Sequence, residues 1–355
     1  MKILIAAGGT YGHLFPAVRL AEEIMSKKIG ETLFIIPSRR QDRIFLTELG
    51  IAFESIPVIG FQSRKILHIL EFTIRLIAGF VKSLAIILKS RPAVVIGFGG
   101  YVSGPVLLSA SLLKIKTIIH EQNVYPGRTN RILANFADKI AVSFPETMGY
   151  LKKYGSKIVL SGNPLRKNLK KGFVRHDTDS AKFTILAMGG SQGSHRLNKL
   201  IPEAVQLMEE ERKKRLEVIH LSGDKDRNSV MEAYREGDVK NRVFSFTNEM
   251  GEFYNECDFV IGRAGAMTIS ELLYLAKPAI LIPYPHAGSH QYLNAKVLEK
   301  AGLAIVFEDG KLSSEELKGA MVRLMDMTAL DRMAKLAHER SMDNACDILM
   351  KEIVS

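Results

Sequence analysis

Ile3-Leu4-Ile5-Ala6-Ala7-Gly8-Gly9-Thr10-Tyr11-Gly12 returns near the middle of the chain as Thr184-Ile185-Leu186-Ala187-Met188-Gly189-Gly190-Ser191-Gln192-Gly193. Each copy reads as a buried strand that runs into a glycine-rich turn at the start of a helix. Short apolar runs with the same bounding Gly, Pro or polar residues recur at Thr32–Ile36, Ala93–Phe98, Lys116–His120, Lys139–Val142, Leu216–Leu221, Phe259–Gly262 and Ala279–Pro283. Helix-length segments separate most of them, and that alternation predicts parallel sheets with crossover helices. The expectation is an α/β chain of two Rossmann-like halves, each opening with its own glycine turn and facing the other across a cleft. The join is expected in Lys167–Lys182, a polar, basic stretch containing Gly172.

Composition fits this reading and narrows the function. At 355 residues the chain exceeds the usual single-core domain. With 46% hydrophobic and 25% charged residues it reads as globular. Cys257 and Cys346 stand far apart without a CxxC partner, so neither a disulfide framework nor a zinc site is expected. The apolar run at Ile3–Ala7 is too short for a signal peptide and lacks a cleavage pattern, which argues against export. A formal charge of +11 implies an anionic partner. No zinc finger, no RNP-like aromatic motif and no Trp are present, so no nucleic acid is expected.

Three glycine turns carry the expected chemistry. In Gly8-Gly9-Thr10-Tyr11-Gly12-His13 the backbone can approach a ligand closely, and the following helix offers N–H groups and a positive dipole end. Tyr11 stands where the dinucleotide fingerprint has its second glycine, which removes the main support for a dehydrogenase. His13 falls in the first helical turn at a strand's C-terminal end, where open α/β sheets bind ligands. Gly97-Phe98-Gly99-Gly100-Tyr101-Val102-Ser103-Gly104-Pro105 reads the same way, its glycines serving close approach to a ligand rather than packing. His120-Glu121-Gln122-Asn123 gathers polar side chains at another strand end, and Asn163-Pro164-Leu165-Arg166 puts a cation near the join.

In the second half, Gly189–Gly193 forms the third turn. In Gly262-Arg263-Ala264-Gly265-Ala266-Met267-Thr268-Ile269-Ser270-Glu271 small residues precede a helix. Glu271 there is placed either to accept the hydroxyls of a ribose or to close a capping box, Thr268-x-x-Glu271, and on the residues alone the cap is favoured. Pro285–Asn294, with His290 and Gln291, presents polar groups at the mouth of a strand–helix connection. Asp224-Lys225-Asp226 and Asp177-Thr178-Asp179 match a metal-binding DxD pattern, but both lie in highly charged loop sequence and read as solvated turns. No dedicated metal site and no cofactor are expected.

With these segments in place the sequence closely resembles the MurG family of glycosyltransferases. The match spans essentially the whole chain, through Gly8–Ala17, Gly97–Pro105, His120–Asn130, Gly162–Arg166, Gly189–Gly193, Ala266–Glu271 and Gln291–Ala295 in the family's order. The resemblance implies a GT-B fold, with an acceptor- and membrane-binding domain over 1–164 joined by the last helix at about 341–355, and a UDP-sugar-binding domain over 165–340. It implies metal-independent, inverting transfer of N-acetylglucosamine from UDP-N-acetylglucosamine to the 4-hydroxyl of the muramoyl sugar of lipid I, giving lipid II. The other readings are a different GT-B transferase such as a diacylglycerol glucosyltransferase, a UDP-sugar epimerase of similar fold, or a non-catalytic nucleotide-sugar-binding scaffold.

Carried over by position, Ser191 contacts the donor's pyrophosphate and Glu271 the ribose. The backbone near Thr247–Met250 reads the uracil, Ala266, Met267, Thr268, Ile269 and Ser270 line the helix start, and Gln291 and Asn294 contact the sugar. Thr10, Tyr11, Gly12, His13, Tyr101 and Asn123 receive the acceptor, and Arg166 steadies the diphosphate. His13 is the first candidate for general base and Glu121 the second. Two departures stand out: Tyr11 replaces the family's usual Gly, and His290-Gln291 replaces its Gln-Gln pair. The resemblance also implies cell-wall synthesis and division proteins as partners, at the cytoplasmic face of the membrane.

One segment points to that surface. Ile66–Leu88 is apolar almost all round, yet His68, Arg75, Lys82 and Lys89 recur every seven residues and so form one basic stripe on a helix. The charges within the span argue against a transmembrane helix. Some of Phe72, Ile74, Leu76, Phe80 and Leu84 are expected in the core, and the surplus apolar surface beside cations suits an anionic membrane surface.

Overall fold

The structure is a computed structural model that describes residues 1–61, 65–172, 182–190, 193–247, 249–285, 290–337 and 344–355. The chain divides into two compact units, Met1–Leu165 with Met342–Ser355, and Arg166–Ser341. The first contains β1 (Lys2–Ala6), α1 (Tyr11–Ser26), β2 (Glu31–Pro37), α2 (Arg40–Glu48), β3 (Phe53–Ile56), α3 (Ile66–Ser90) and β4 (Val94–Gly97). It continues with α4 (Gly100–Leu112), β5 (Lys116–Glu121), α5 (Arg128–Leu133), β6 (Lys139–Val142), α6 (Pro145–Tyr150) and β7 (Ile158–Leu160).

The second unit runs β8 (Phe183–Met188), α7 (His195–Gln206), α8 (Glu210–Lys213), β9 (Leu216–Leu221), α9 (Arg227–Glu236), β10 (Lys240–Phe244) and α10 (Met250–Glu256). It then runs β11 (Phe259–Gly262), α11 (Ala266–Tyr274), β12 (Ala279–Leu281), α12 (His290–Lys300), β13 (Ala304–Val306), α13 (Ser314–Leu324) and α14 (Met327–Ala337). The last helix, α15 (Ala345–Val354), returns to the first unit, where Leu349, Met350 and Ile353 enter the core beside α1.

Both sheets are wholly parallel, and their orders match. The first runs β3-β2-β1-β4-β5-β6-β7 and the second β10-β9-β8-β11-β12-β13. In each, the strand that precedes the glycine turn sits where the order reverses, the place at which open α/β sheets leave a crevice above their C-terminal edges. The repeat read in the sequence is therefore a true structural duplication. The inner strands are buried on both faces, as the near-continuous apolar runs of β1, β4, β8 and β11 require.

Helix α3 departs from its expected packing. None of Phe72, Ile74, Leu76, Phe80 and Leu84 is fully buried, and the helix rests instead on Gly79, Ser83 and Ile87. The cause is steric: a Cβ on Gly79 would stand 2.4 Å from Val58 Cγ1, so the backbone itself lies against the segment after β3. Seated on a small-residue stripe, the helix carries its large side chains outside. His68, Arg75, Lys82 and Lys89 are all exposed, beside Ile66, Leu67, Leu70, Ile74, Ile77 and Val81. No helix among the described residues is long and apolar enough to cross a membrane.

Candidate functional site

In the first unit the polar groups at the strand ends form one ordered chain of hydrogen bonds. The carbonyl of Gly162 only accepts, so His120 Nε2, 3.0 Å away, carries the proton. His120 Nδ1 is then the acceptor and takes a hydrogen from Gln122 Nε2 at 3.0 Å. The same amide nitrogen also donates to the His120 carbonyl at 3.2 Å, which fixes the orientation of the Gln122 amide. Gln122 Oε1 therefore faces His13 Nδ1 at 3.0 Å and must receive its proton. The consequence is a single tautomer, with the lone pair of His13 on Nε2. Burial drives the pKa of His120 down to about 4, with a smaller push from His13, so the His120 ring stays neutral at physiological pH.

The second glycine turn forms the bed for this imidazole. Gly99 and Gly100 have φ of +86° and +72°, and a Cβ on either would stand 3.2 Å and 3.4 Å from the His13 ring. A Cβ on Gly100 would also approach the Gly8 carbonyl to 3.1 Å. These glycines therefore do have a packing return, contrary to the expectation from the sequence: they let the ring of His13 lie against the backbone. The first turn is pinned by groups the sequence did not single out. Buried Asp42 accepts the Gly9 N–H at 2.9 Å, and the Arg39 guanidinium donates to the Gly9 carbonyl. Both come from the β2–α2 connection, too far along the chain for local pattern to pair them with the turn.

Around this center the other predicted residues take defined places. Thr10 is the N-cap position of α1 and is exposed, and Gly12 is exposed in the first turn. Tyr11, also in that turn, stacks on Phe15 at 5.3 Å and meets Phe45 edge-on, so its bulk is absorbed by an aromatic cluster between α1 and α2. Tyr101 lies over the first turn, 3.1 Å from where a Gly9 Cβ would be.

Glu121 is buried, and its two oxygens accept four hydrogen bonds: from Asn123 N and Nδ2, from Gly127 N and from Asn130 Nδ2. That saturation makes it the clasp of the 121–130 loop, holding Asn123 in place, rather than a group poised to take a proton.

The second unit repeats the turn with different chemistry. Gly190 and Gly193 have φ of +97° and +75°, and a Cβ on Gly193 would collide with the Ser222 carbonyl at 1.9 Å. Ser191 lies outside the described residues. Behind the turn, buried Arg263 donates to Ser194 Oγ and the Ile282 carbonyl at 2.9 Å and pairs with Asp309 at 3.1 Å.

The capping-box alternative for Glu271 does not survive. The N-cap of α11 is Gly265, with no side-chain cap, and Thr268 sits in the first turn behind Ala266 and Met267. Glu271 is one turn further on, buried, with Arg166 Nε at 3.2 Å and Tyr254 beside it. Burial raises its carboxyl pKa, and Arg166 pulls it back. The guanidinium of Arg166 thus pairs with this carboxylate.

Ile269 is buried and Ser270 half-buried on the same helix. Gln291 Oε1 accepts from Ala264 N at 3.2 Å and Tyr284 N at 2.9 Å, and buried Asn294 donates to the Ala264 carbonyl at 3.2 Å. The two amides of α12 thereby fix the loop that starts α11. His290 begins α12, half-buried. Thr247 Oγ1 accepts from Glu249 N at 2.9 Å in the loop before α10, where Met250 is buried and Asn248 lies outside the described residues.

Of the two DxD matches, Asp226 is held by Asn198 and His195 at the start of α9, and Asp177–Asp179 lie outside the described residues. Among the described residues no cluster of three or more His, Cys, Asp or Glu side chains is placed to hold a metal.

Two parallel sheets, each with a glycine turn at its reversal point and polar groups gathered at the strand ends, define a doubly wound α/β fold of the ligand-binding kind. Comparison with known proteins narrows the class. Residues 3–142 match the glycosyltransferase family 28 N-terminal domain and residues 184–347 the family's C-terminal domain. The chain is 37% identical, over 100% of its length and 98% of the relative's, to the UDP-N-acetylglucosamine--N-acetylmuramyl-(pentapeptide) pyrophosphoryl-undecaprenol N-acetylglucosamine transferase of Geobacter sulfurreducens. The relative of that name from Halothermothrix orenii is also 37% identical, over 94% of this chain and 93% of its own. Among solved structures, MurG of Acinetobacter baumannii superposes with a TM-score of 0.80 at 27% identity, covering 99% of both chains. The UDP-N-acetylglucosamine 2-epimerase of Neisseria meningitidis, at 10% identity and a TM-score of 0.69, shares the fold alone. The chain belongs to glycosyltransferase family 28 and, within it, to the MurG family.

The two buried neutral histidines predict how this protein fails in acid. His120 titrates at about 4 and His220, buried between Asn198 and Tyr234, at about 3, against roughly 6.5 in an unfolded chain. The unfolded state therefore binds protons that the native state refuses. Stability is full above about pH 7 and falls as pH drops through 6.5 towards 4 for His120, a loss of roughly 3 kcal/mol from that group alone. Urea unfolding at stepped pH checks this. His120→Asn should be less stable at pH 7 and show a flatter decline between pH 6.5 and 4.5.

Proposed function

We propose that this protein transfers N-acetylglucosamine from UDP-N-acetylglucosamine to the 4-hydroxyl of the muramoyl sugar of lipid I, giving lipid II. The names of its full-length relatives support the donor and the acceptor. The observation that carries the chemistry is the one-way hydrogen-bond chain that leaves the His13 lone pair on Nε2. In a single inverting displacement the acceptor's 4-hydroxyl oxygen attacks the anomeric carbon and the bond from that carbon to UDP breaks. The hydroxyl proton passes to His13 Nε2. A positioned base of this kind contributes typically about 10²–10⁴ in rate.

Donor recognition belongs in this reading to the second unit. Glu271 accepts the ribose hydroxyls, the backbone around Thr247–Met250 reads the uracil, and Gln291 and Asn294 meet the sugar. Ser191, the turn and the start of α7 take the diphosphate, where backbone N–H groups and the helix dipole offset the charge of departing UDP. Arg166 then serves as the partner that keeps Glu271 ionised in its buried setting, a role its 3.2 Å approach supports. Thr10, Gly12, Tyr101 and Asn123 receive the acceptor in the first unit. A diacylglycerol glucosyltransferase or an epimerase would share the fold but not the full-length relatives' acceptor.

Two variants separate these roles. Glu271→Ala should weaken UDP binding by calorimetry at least tenfold while the protein remains folded; unchanged affinity removes Glu271 from the donor site. His13→Ala should lower turnover of lipid I by about 10²-fold or more with donor affinity nearly intact. Gln122→Met should retain part of that turnover and shift the pH profile, because His13 then loses its fixed tautomer. Normal turnover in His13→Ala at saturating acceptor would end its role as base.

The same reading takes α3 as the membrane-facing element of a peripheral protein working at the cytoplasmic face. Its exposed apolar side chains lie among Arg75, Lys82 and Lys89, and each basic residue near an anionic surface contributes about 1 kcal/mol. Co-sedimentation with liposomes should rise with anionic lipid, fall with salt, and drop when Arg75, Lys82 and Lys89 become Glu. Indifference to all three changes would return α3 to a purely structural part.

A further inference from the structure

Beneath the outer face of α3 the first unit contains a groove of about 460 Å³, of whose lining the proposed transfer involves only Tyr101. Its size falls in the range of small-molecule sites. On one side stand Phe72, Leu76 and Phe80, spaced four residues apart and so on one face of α3. The other wall is α4, with Tyr101, Gly104 and Leu108 at nearly the same spacing, and Ile132 of α5 closes the lower edge. Among the lining side chains, only Tyr101 and Thr129 carry a polar atom, a hydroxyl in each case. Several of the apolar ones remain open to water: Ile77 is 59% and Ile132 60% exposed. A groove of this composition gains from a hydrocarbon and offers a sugar little beyond two hydroxyls.

We infer that this groove holds the first isoprene units of the acceptor's lipid chain, so that the protein binds the lipid as well as the sugar it carries. This rests on the proposal above that Thr10, Gly12 and Tyr101 receive the acceptor, and it seats the acceptor's diphosphate at the first glycine turn. The link is Tyr101, whose ring is both groove wall and neighbor of that turn. A Cβ on Gly9 would be 3.1 Å from it, and one on Gly60 3.4 Å. The chain of a polyprenyl diphosphate is joined covalently to the diphosphate, so a head group held at the turn starts its chain beside Tyr101. The acyl chain of a bulk membrane lipid has no such tether to this end of the groove.

Gly104 provides the test. It is helical, and a Cβ there would meet only Thr129 Cγ2, at 4.0 Å. Gly104→Leu therefore fits the backbone and fills the groove from the α4 side. Ile77→Glu, an exposed wall position, places a charge in the groove without touching the core.

The full-length protein is titrated calorimetrically with geranylgeranyl diphosphate, isopentenyl diphosphate and geranylgeraniol, each below its aggregation concentration, with UDP affinity as the folding control. The wild type should bind geranylgeranyl diphosphate at least tenfold more tightly than isopentenyl diphosphate. Either variant should abolish that ratio while leaving UDP binding unchanged. A ratio of one in the wild type, or a ratio that persists in both variants, overturns the inference. If geranylgeraniol binds as well as its diphosphate and Gly104→Leu removes both, the groove stands and the diphosphate assignment fails. If the variants change only binding to phosphatidylglycerol vesicles, the groove belongs to membrane acyl chains and the inference falls.

Discussion

The polar face at the strand ends of the first unit depends on the direction of one hydrogen-bond chain. A backbone carbonyl cannot donate, so Gly162 sets the proton on His120, His120 sets the amide of Gln122, and Gln122 sets the tautomer of His13. Three elements must be in register for this to close. β5 brings His120, the loop after it brings Gln122, and α1 brings His13 down onto a bed of two glycines from the turn before α4. Because every member but His13 is buried, the chain is costly to break and cannot relax by exchanging partners with water. The same burial that keeps His120 neutral makes it an acid-sensitive point of the fold.

The two units solve one architectural problem with two chemistries. Each sheet reverses its order beside the strand that feeds a glycine turn, and each places polar groups at that edge. In the first unit these include the one-way chain from Gly162 through His120 and Gln122 to His13, suited to directing a proton. In the second they are charged: Arg263 with Asp309 behind the turn, and Arg166 with Glu271 on α11. Buried ion pairs are expensive to desolvate, and removing one member leaves the other uncompensated. Carboxylate and guanidinium are therefore held in fixed positions, which is what recognition of a polar nucleotide sugar asks for.

Helix α3 shows how a small-residue contact redirects a whole element. With Gly79, Ser83 and Ile87 as its only fully buried residues, it is anchored by close backbone approach rather than by large side chains. The aromatic and aliphatic groups that a sheet-packed helix would bury are left partly on the outer surface and partly over the groove shared with α4.

By itself the sequence determined the class of fold, the duplication and the positions of the turns, because these depend on local periodicity and on glycine. The nine strands read from apolar runs are those interior to the sheets, where burial on both faces demands continuous hydrophobicity. The four that escaped, β3, β7, β10 and β13, are the four sheet edges. β3 and β10 mix polar with apolar residues, as in Phe53–Ile56 and Lys240–Phe244, and β7 and β13, though apolar, are only three residues long, too short to stand out as a strand.

Tertiary structure alone decided what the glycines touch, whether Glu271 caps a helix or meets Arg166, and where the bulk of Tyr11 goes. It also decided that Glu121 is a clasp, and that Asp42, Arg39 and Gln122 belong to the site. Each of these depends on side chains distant in the chain meeting at one strand end. Residue type and spacing fix which contacts are possible, but only the closed sheet fixes which partner arrives.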